Sequence, residues 1–121
     1  MSFSHRVHAP LKLACTTCHK GAEKGERAGF PARSDCAVCH QNQAEFGSKL
    51  PLRRVYRVAD FVYFSHARHR ASKIECNACH GAVTEHDVLR LERPVTMKAC
   101  VECHKTHNAT QDCTACHELA Q

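Results

Sequence analysis

Ten cysteines and eleven histidines stand among 121 residues, and the cysteines pair off without remainder. Each pair encloses two residues and is followed directly by histidine: Cys15-Cys18-His19, Cys36-Cys39-His40, Cys76-Cys79-His80, Cys100-Cys103-His104 and Cys113-Cys116-His117, numbered here as motifs 1 to 5. Two thiols at this spacing on a helical turn stand about as far apart as the two vinyl groups of a haem. The next residue then brings an imidazole beneath the ring, so the pattern predicts covalent c-type haem attachment. Redox dithiols and zinc knuckles share the first four positions. Zinc, however, requires ligands grouped in fours and gives no reason for a histidine after every second cysteine. A disulfide scaffold leaves the histidines without a role. Five motifs that use every cysteine predict five covalently bound c-type haems.

A haem iron has two axial positions. His19, His40, His80, His104 and His117 are expected to fill one each as proximal ligands, leaving His5, His8, His66, His69, His86 and His107 for the distal side. Six candidates for five positions predict bis-histidine ligation with one histidine to spare. His86 is the expected fifth distal ligand, because it lies between two motifs beside Val83, Val88 and Leu89; His107, in the polar run KTHNATQD, is the alternate. Met97, beside motif 4, offers a thioether that would raise that haem's potential, but the histidines suffice without it.

The stretch FSHRVHAPLKLACTTCH at Phe3 returns as FSHARHRASKIECNACH at Phe64, an offset of 61 residues. His5 and His8 cannot serve one haem, because only one face of each ring is free. Three residues apart on a helix they share roughly one face, so the pair is expected to address two neighbouring haems, as His66 and His69 are in the second copy. Phe3 and Phe64 are expected to pack against porphyrin. The chain reads as one haem-filled domain: a two-haem repeat over 1–50, a linker over 51–62 and a three-haem repeat over 63–121.

The elements that position these groups are expected to be slight. There is no Trp, and only two Tyr and five Phe, so aliphatic and aromatic packing material is thin and the haems must serve as the core. Gly21, Gly25, Gly29 and Pro31 predict a turn-rich connection, and Pro51 and Pro94 punctuate later segments. The fold class expected is mostly irregular chain with short α-helices at the motifs. Arg53 to His66, RRVYRVADFVYFSH, is the one stretch with strand-like alternation and should join the halves. No run approaches the roughly 20 apolar residues of a membrane helix, and no leader follows Met1. Because c-type haem is attached outside the bacterial cytoplasm, a periplasmic or extracellular location is expected, with a leader removed or the chain a segment of a larger protein. The formal charge of +5 is offset by about one negative charge per ferric haem, so the holoprotein is near neutral. Arg53, Arg54, Arg57, Arg68 and Arg70 are expected to pair with propionates or water. Nothing supports nucleic-acid binding: there is no stacking platform and no fold for it.

The Phe-x-His-x-x-His segment, followed by Cys-x-x-Cys-His and further attachment motifs, resembles the class III multihaem cytochromes c. The stretches FSHRVH, CTTCHKGAEKGERAGFPARSDCAVCH, DFVYFSHARH, CNACHGAV and TMKACVECH are similar to the pentahaem subunits of alternative complex III, a bacterial quinol-oxidising membrane complex, over nearly the whole chain. It departs from them at Tyr56, where a histidine is expected, and at His86, where a methionine is expected. The resemblance implies that His5 pairs with His19 and His66 with His80, while His8 and His69 reach later haems. Partners would be other cytochromes or redox proteins, including a membrane quinol-oxidising complex. Closed irons pass electrons rather than activate substrate, so the expected activity is electron relay between low-potential partners. The alternatives are a reductase of nitrite, hydroxylamine or a metal ion with one open iron, and a haem unit of a larger complex or filament.

Overall fold

The computed structural model describes residues 3–42 and 52–118. The end of the first repeat and the start of the linker, 43–51 with Pro51, lie outside the described residues. Short helices carry the chain in the order α1 (His5–His8), a 3-10 turn at Ala9–Leu11, α2 (Cys15–Cys18), α3 (Gly21–Lys24), α4 (Arg33–Ala37), α5 (His66–Ala71), α6 (Cys76–His80), a 3-10 turn at Val83–Glu85, α7 (Met97–Thr106) and α8 (Cys113–Cys116). The connections are irregular. Arg53 to Ser65 is irregular, with a turn at Asp60 and Phe61, and among the described residues it makes a single antiparallel bridge, Val62 with His117, rather than a strand; His66 already belongs to α5.

Several of the helices have a local cause. Ser4, Ser65 and Thr96 are N-caps whose hydroxyls accept the backbone N–H three residues on, at 3.2, 3.3 and 3.2 Å. At the motifs, one helical turn folds the histidine back over the first cysteine: His19, His40 and His117 donate their backbone N–H to Cys15, Cys36 and Cys113 carbonyls at 2.9, 2.9 and 3.1 Å. The turns end early. Lys12 and Lys73, equivalent by the 61-residue offset, both adopt left-handed backbone at φ 52° and 58° and redirect the chain towards motifs 1 and 3.

The halves dock reciprocally. Ala67, on α5, donates its N–H to Gly25 O at 3.0 Å, and Arg6, on α1, donates to His86 O at 3.1 Å. Arg6 and Ala67 are equivalent by the repeat, and so are Gly25 and His86. Thus each half rests its histidine-pair helix on the turn that follows the other half's first motif. The α1 contact is reinforced by the Arg6–Asp87 ion pair and by Ser4 Oγ donating to Asp87 Oδ1 at 2.6 Å.

This docking surrounds almost no protein core. Among the described residues only Ala22 is a buried hydrophobic, while Val38 is 79% and Val88 73% exposed. Apolar burial is the main favourable term in folding, and this polypeptide supplies little of it. The chain without covalent haem should therefore show a disordered far-ultraviolet circular dichroism spectrum and no cooperative thermal transition. A second expectation concerns Gly21: a Cβ there would lie 2.2 Å from Arg27 O. Gly21→Ala should displace the loop under α5 and lower holoprotein stability by about 1–3 kcal/mol, read as a lower thermal midpoint.

Candidate haem-binding site

The histidines stand in pairs at one recurring distance. Ring centres are 6.3 Å apart for His5 and His19, 6.1 Å for His8 and His40, 6.3 Å for His66 and His80, and 6.1 Å for His69 and His104. Direct stacking would bring such rings closer. A metal bonded to imidazole nitrogen at about 2 Å on each side, with about 1.1 Å more from that nitrogen to each ring centre, separates two rings by about 6 Å. The spacing is that of two imidazoles facing one iron.

Five of these eight rings have one nitrogen tied back. Nδ1–H donates to a backbone carbonyl in His8 (Ser4, 2.8 Å), His19 (Gly29, 2.7 Å), His66 (Glu26, 2.7 Å), His69 (Ser65, 2.8 Å) and His104 (Thr110, 2.5 Å). That bond selects the tautomer, leaving Nε2 as a lone pair, and holds the ring's orientation. Burial, then the neighbouring His19 and His8, lowers the pKa of His5; burial, then His66 and His19, lowers that of His80. Both shifts favour the neutral, metal-binding imidazole.

Phe3 and Phe64 set the planes of the pairs. Phe3 stacks on His8 (4.7 Å, 27°) and meets His5 edge-on (4.8 Å, 90°); Phe64 does the same with His69 (4.6 Å, 25°) and His66 (4.8 Å, 89°). Each phenyl thus touches the two imidazoles of its pair in opposite orientations. This explains how two histidines three residues apart can face different partners. Spacing alone did not reveal this wedge, although the recurrence of Phe at the same place was its signal.

The cysteines show which motifs adjoin. The Cys76 thiol is pushed up by burial and then by Cys15, with which it shares a hydrogen bond. Burial first, with Cys36 next, raises Cys18; burial and then Cys103 raises Cys79; and burial followed by Cys79 and Cys116 raises Cys100. Conversion to thioether removes these titrations but leaves the adjacency. These neighbours set motif 1 beside motifs 2 and 3, and motif 4 beside motifs 3 and 5.

His86 and His107 are placed differently. His86 Nε2 faces Glu92 Oε1 at 2.5 Å, and Glu92 Oε2 also accepts Ala82 N–H at 2.9 Å. The carboxylate is held below its usual range, first by the Ala82 N–H and then by His86. The expectation that His86 faces an iron therefore meets a nitrogen already engaged, and its backbone carbonyl receives Arg6. His107 caps α7 and turns Nδ1–H onto Cys103 O at 2.9 Å, as His8 and His69 do onto their own i−4 carbonyls. Among the described residues no histidine ring is stacked across from His117.

Arg70 supplies a further test of fit. Its Nε is buried without a hydrogen-bond partner among the described residues, and Arg70 lies beside Cys76. A buried guanidinium nitrogen left orphaned is costly, and a propionate at motif 3 would satisfy it. Arg53, Arg54 and Arg90 line a cleft with Val55, Leu89 and Leu91, a second place for acidic groups. Thiols in pairs, imidazoles set one iron apart and an unpartnered cation all match haem.

A family model described as cytochrome c3 matches residues 7–89. The chain belongs to the cytochrome c3 family. A model for cytochrome c7 and related cytochrome c matches residues 62–118, the three-motif half. The chain is also similar to the menaquinone reductase multihaem cytochrome c subunit of Nitratidesulfovibrio vulgaris, 27% identical over 96% of this chain and 75% of that protein. The architecture is that of a class III multihaem cytochrome c: short helices around covalently bound c-type haem, with electron transfer as its chemistry. No helix among the described residues is long and apolar enough to cross a membrane.

The paired rings fall into two classes. His5/His19 and His66/His80 are nearly parallel, at 14° and 11°, whereas His8/His40 and His69/His104 are tilted by 54° and 44°. Parallel imidazoles split the iron d orbitals more strongly than tilted ones. Oxidised holoprotein should therefore give two groups of low-spin electron paramagnetic resonance signals, the larger maximal g values belonging to motifs 2 and 4. His69→Ala should remove a member of the second group and add one high-spin haem; His66→Ala should remove a member of the first.

Proposed function

We propose that the protein carries five covalent haems and relays electrons along them in the order 2, 1, 3, 4, 5 between low-potential redox partners outside the cytoplasm. The observation that carries this reading is the four histidine pairs with ring centres 6.1–6.3 Å apart, each joining an attachment motif to a distal histidine. Bound haem supplies a one-electron ferric/ferrous couple. The chain's part is to close both faces of four of the irons, fix ring planes and hold neighbouring sites together. Cys15 against Cys76 brings motifs 1 and 3 together across the two halves, and Cys79 against Cys103 continues the line to motif 4.

His5, His8, His66 and His69 are the distal ligands in this reading, with His19, His40, His80 and His104 opposite them and His117 proximal at motif 5. Motifs 2 and 5 are the ends, so partners exchange electrons there. The relative from Nitratidesulfovibrio vulgaris is a subunit of a menaquinone reductase, and the sequence resembles pentahaem subunits of a quinol-oxidising complex. Both support a membrane quinone-active complex as one partner, with another cytochrome as the second.

Haem content, a potentiometric titration and stopped-flow reduction by a low-potential donor test the reading together. Five haems per chain, low potentials and rapid reduction of all five are expected; fewer haems or a slowly reduced fraction would overturn it. His66→Met should raise the potential at motif 3 and turn the middle of the line into a trap. Escape from it should slow about tenfold for each ~60 mV of increase, measured as electron delivery to an acceptor cytochrome.

A further inference from the structure

We propose that the iron carried by His117 is closed by no histidine of this chain and binds a small σ-donor ligand from solution, of the size of carbon monoxide or cyanide. The inference rests on the five-haem reading and identifies one of its sites as different in kind.

The repeat shows why motif 5 stands apart. In the first half, His5 and His8 match two motifs; in the second, His66 and His69 match motifs 3 and 4. Each repeated unit brings as many distal histidines as it needs. Motif 5 is added beyond the repeat, and its only additional imidazoles are His86 and His107, which have no counterpart in the first half.

Neither faces His117. His86 occupies the position equivalent to Gly25 and docks α1 through its carbonyl, while Nε2 faces Glu92 at 2.5 Å. Glu92 is itself anchored, by Ala82 N–H on one carboxylate oxygen and through its own N–H donating to Tyr56 Oη at 3.1 Å. His107 has its Nδ1 on Cys103 O, as His8 and His69 have theirs on Ser4 and Ser65 O, but unlike those rings it is set opposite no motif histidine among the described residues. The aromatic ring near His117 is Phe61, 6.2 Å away at 87°, and a phenyl has no lone pair for iron. Met97, which could offer a thioether, is 67% exposed on the first turn of α7. At the other four motifs the structure has already set an imidazole at one-iron spacing; at the fifth it has not.

The place of this site in the line matters. Motif 5 adjoins the others through Cys116 beside Cys100, and no motif lies beyond it in that sequence of neighbours. An iron with a free sixth position there leaves the four closed sites continuous. The same iron would be reached by electrons and by a solution ligand, a combination that closed sites lack.

The test uses intact holoprotein. Haem is counted after alkaline pyridine treatment, spin states are quantified by electron paramagnetic resonance of the oxidised form, and carbon monoxide is titrated into the reduced form. Expected are five haems, a high-spin signal equal to one of them and one carbon monoxide bound per chain. The double variant Cys113→Ser, Cys116→Ser, which lacks haem 5, should lose the high-spin signal and the carbon monoxide uptake and keep four low-spin haems. Five low-spin haems with no carbon monoxide binding would overturn the inference while leaving the relay intact, and so would a high-spin signal that persists in the double variant. Fewer than five haems in the unaltered protein would overturn the relay reading itself.

Discussion

An imidazole serves a metal well only when its other nitrogen is held, and much of this structure follows from that requirement. Ser4 and Ser65 show how economically it is met. Each caps its helix through the side-chain hydroxyl and holds a histidine through the backbone carbonyl, so one residue both starts the helix and aims the ring at its end. The helices need be no longer than the interval between those two tasks. His19 and His66 depend instead on carbonyls of the Gly25–Gly29 segment, Gly29 for the first and Glu26 for the second. One short loop therefore orients rings that belong to different halves, which ties the geometry of motif 1 to that of motif 3.

A chain with a single buried hydrophobic residue among those described cannot draw its stability from side chains packed against side chains in the usual way. Its own contributions are caps, docked turns and a few ion pairs, and exposed ion pairs such as Lys98 with Glu102 add little. The prosthetic group has to supply the apolar interior. That dependence also accounts for the sparse regular structure: a planar group gripped from its two faces and anchored at its edge demands correct points of attachment more than long elements.

The cysteine–histidine motifs were plain in the sequence because they are local. Cys-x-x-Cys-His spans a single turn, so its spacing along the chain is nearly its spacing in space, and the same holds for His5 with His8. The equivalence of Phe3 and Phe64 was equally plain, but the phenyl's wedge between two imidazoles depends on side-chain orientation. What sequence reasoning could not reach was set by contacts between distant residues. The apolar neighbours of His86 suggested a buried ligand, yet Val88 is exposed and the ring turns to Glu92 six residues later. The strand-like alternation from Arg53 found no partner strand and made only the bridge from Val62 to His117. The order of motifs was hidden for the same reason, since motif 1 adjoins motif 3 through a contact that spans 61 residues.

That contact has a symmetry of its own. Cys15 and Cys76 are equivalent residues and touch each other, and the docking of Ala67 on Gly25 is matched by that of Arg6 on His86. Equivalent residues that meet one another, with reciprocal contacts on either side, are the signature of an isologous two-fold interface. Here it is formed within one chain between two copies of the repeated sequence. Such an interface sets motif 1 beside motif 3 across the two halves, which is why adjacency in space departs from the chain order. Motif 5 falls outside the symmetry. It adjoins motif 4 through Cys116 beside Cys100, so the line of neighbouring cysteines runs from inside the repeat at one end to outside it at the other.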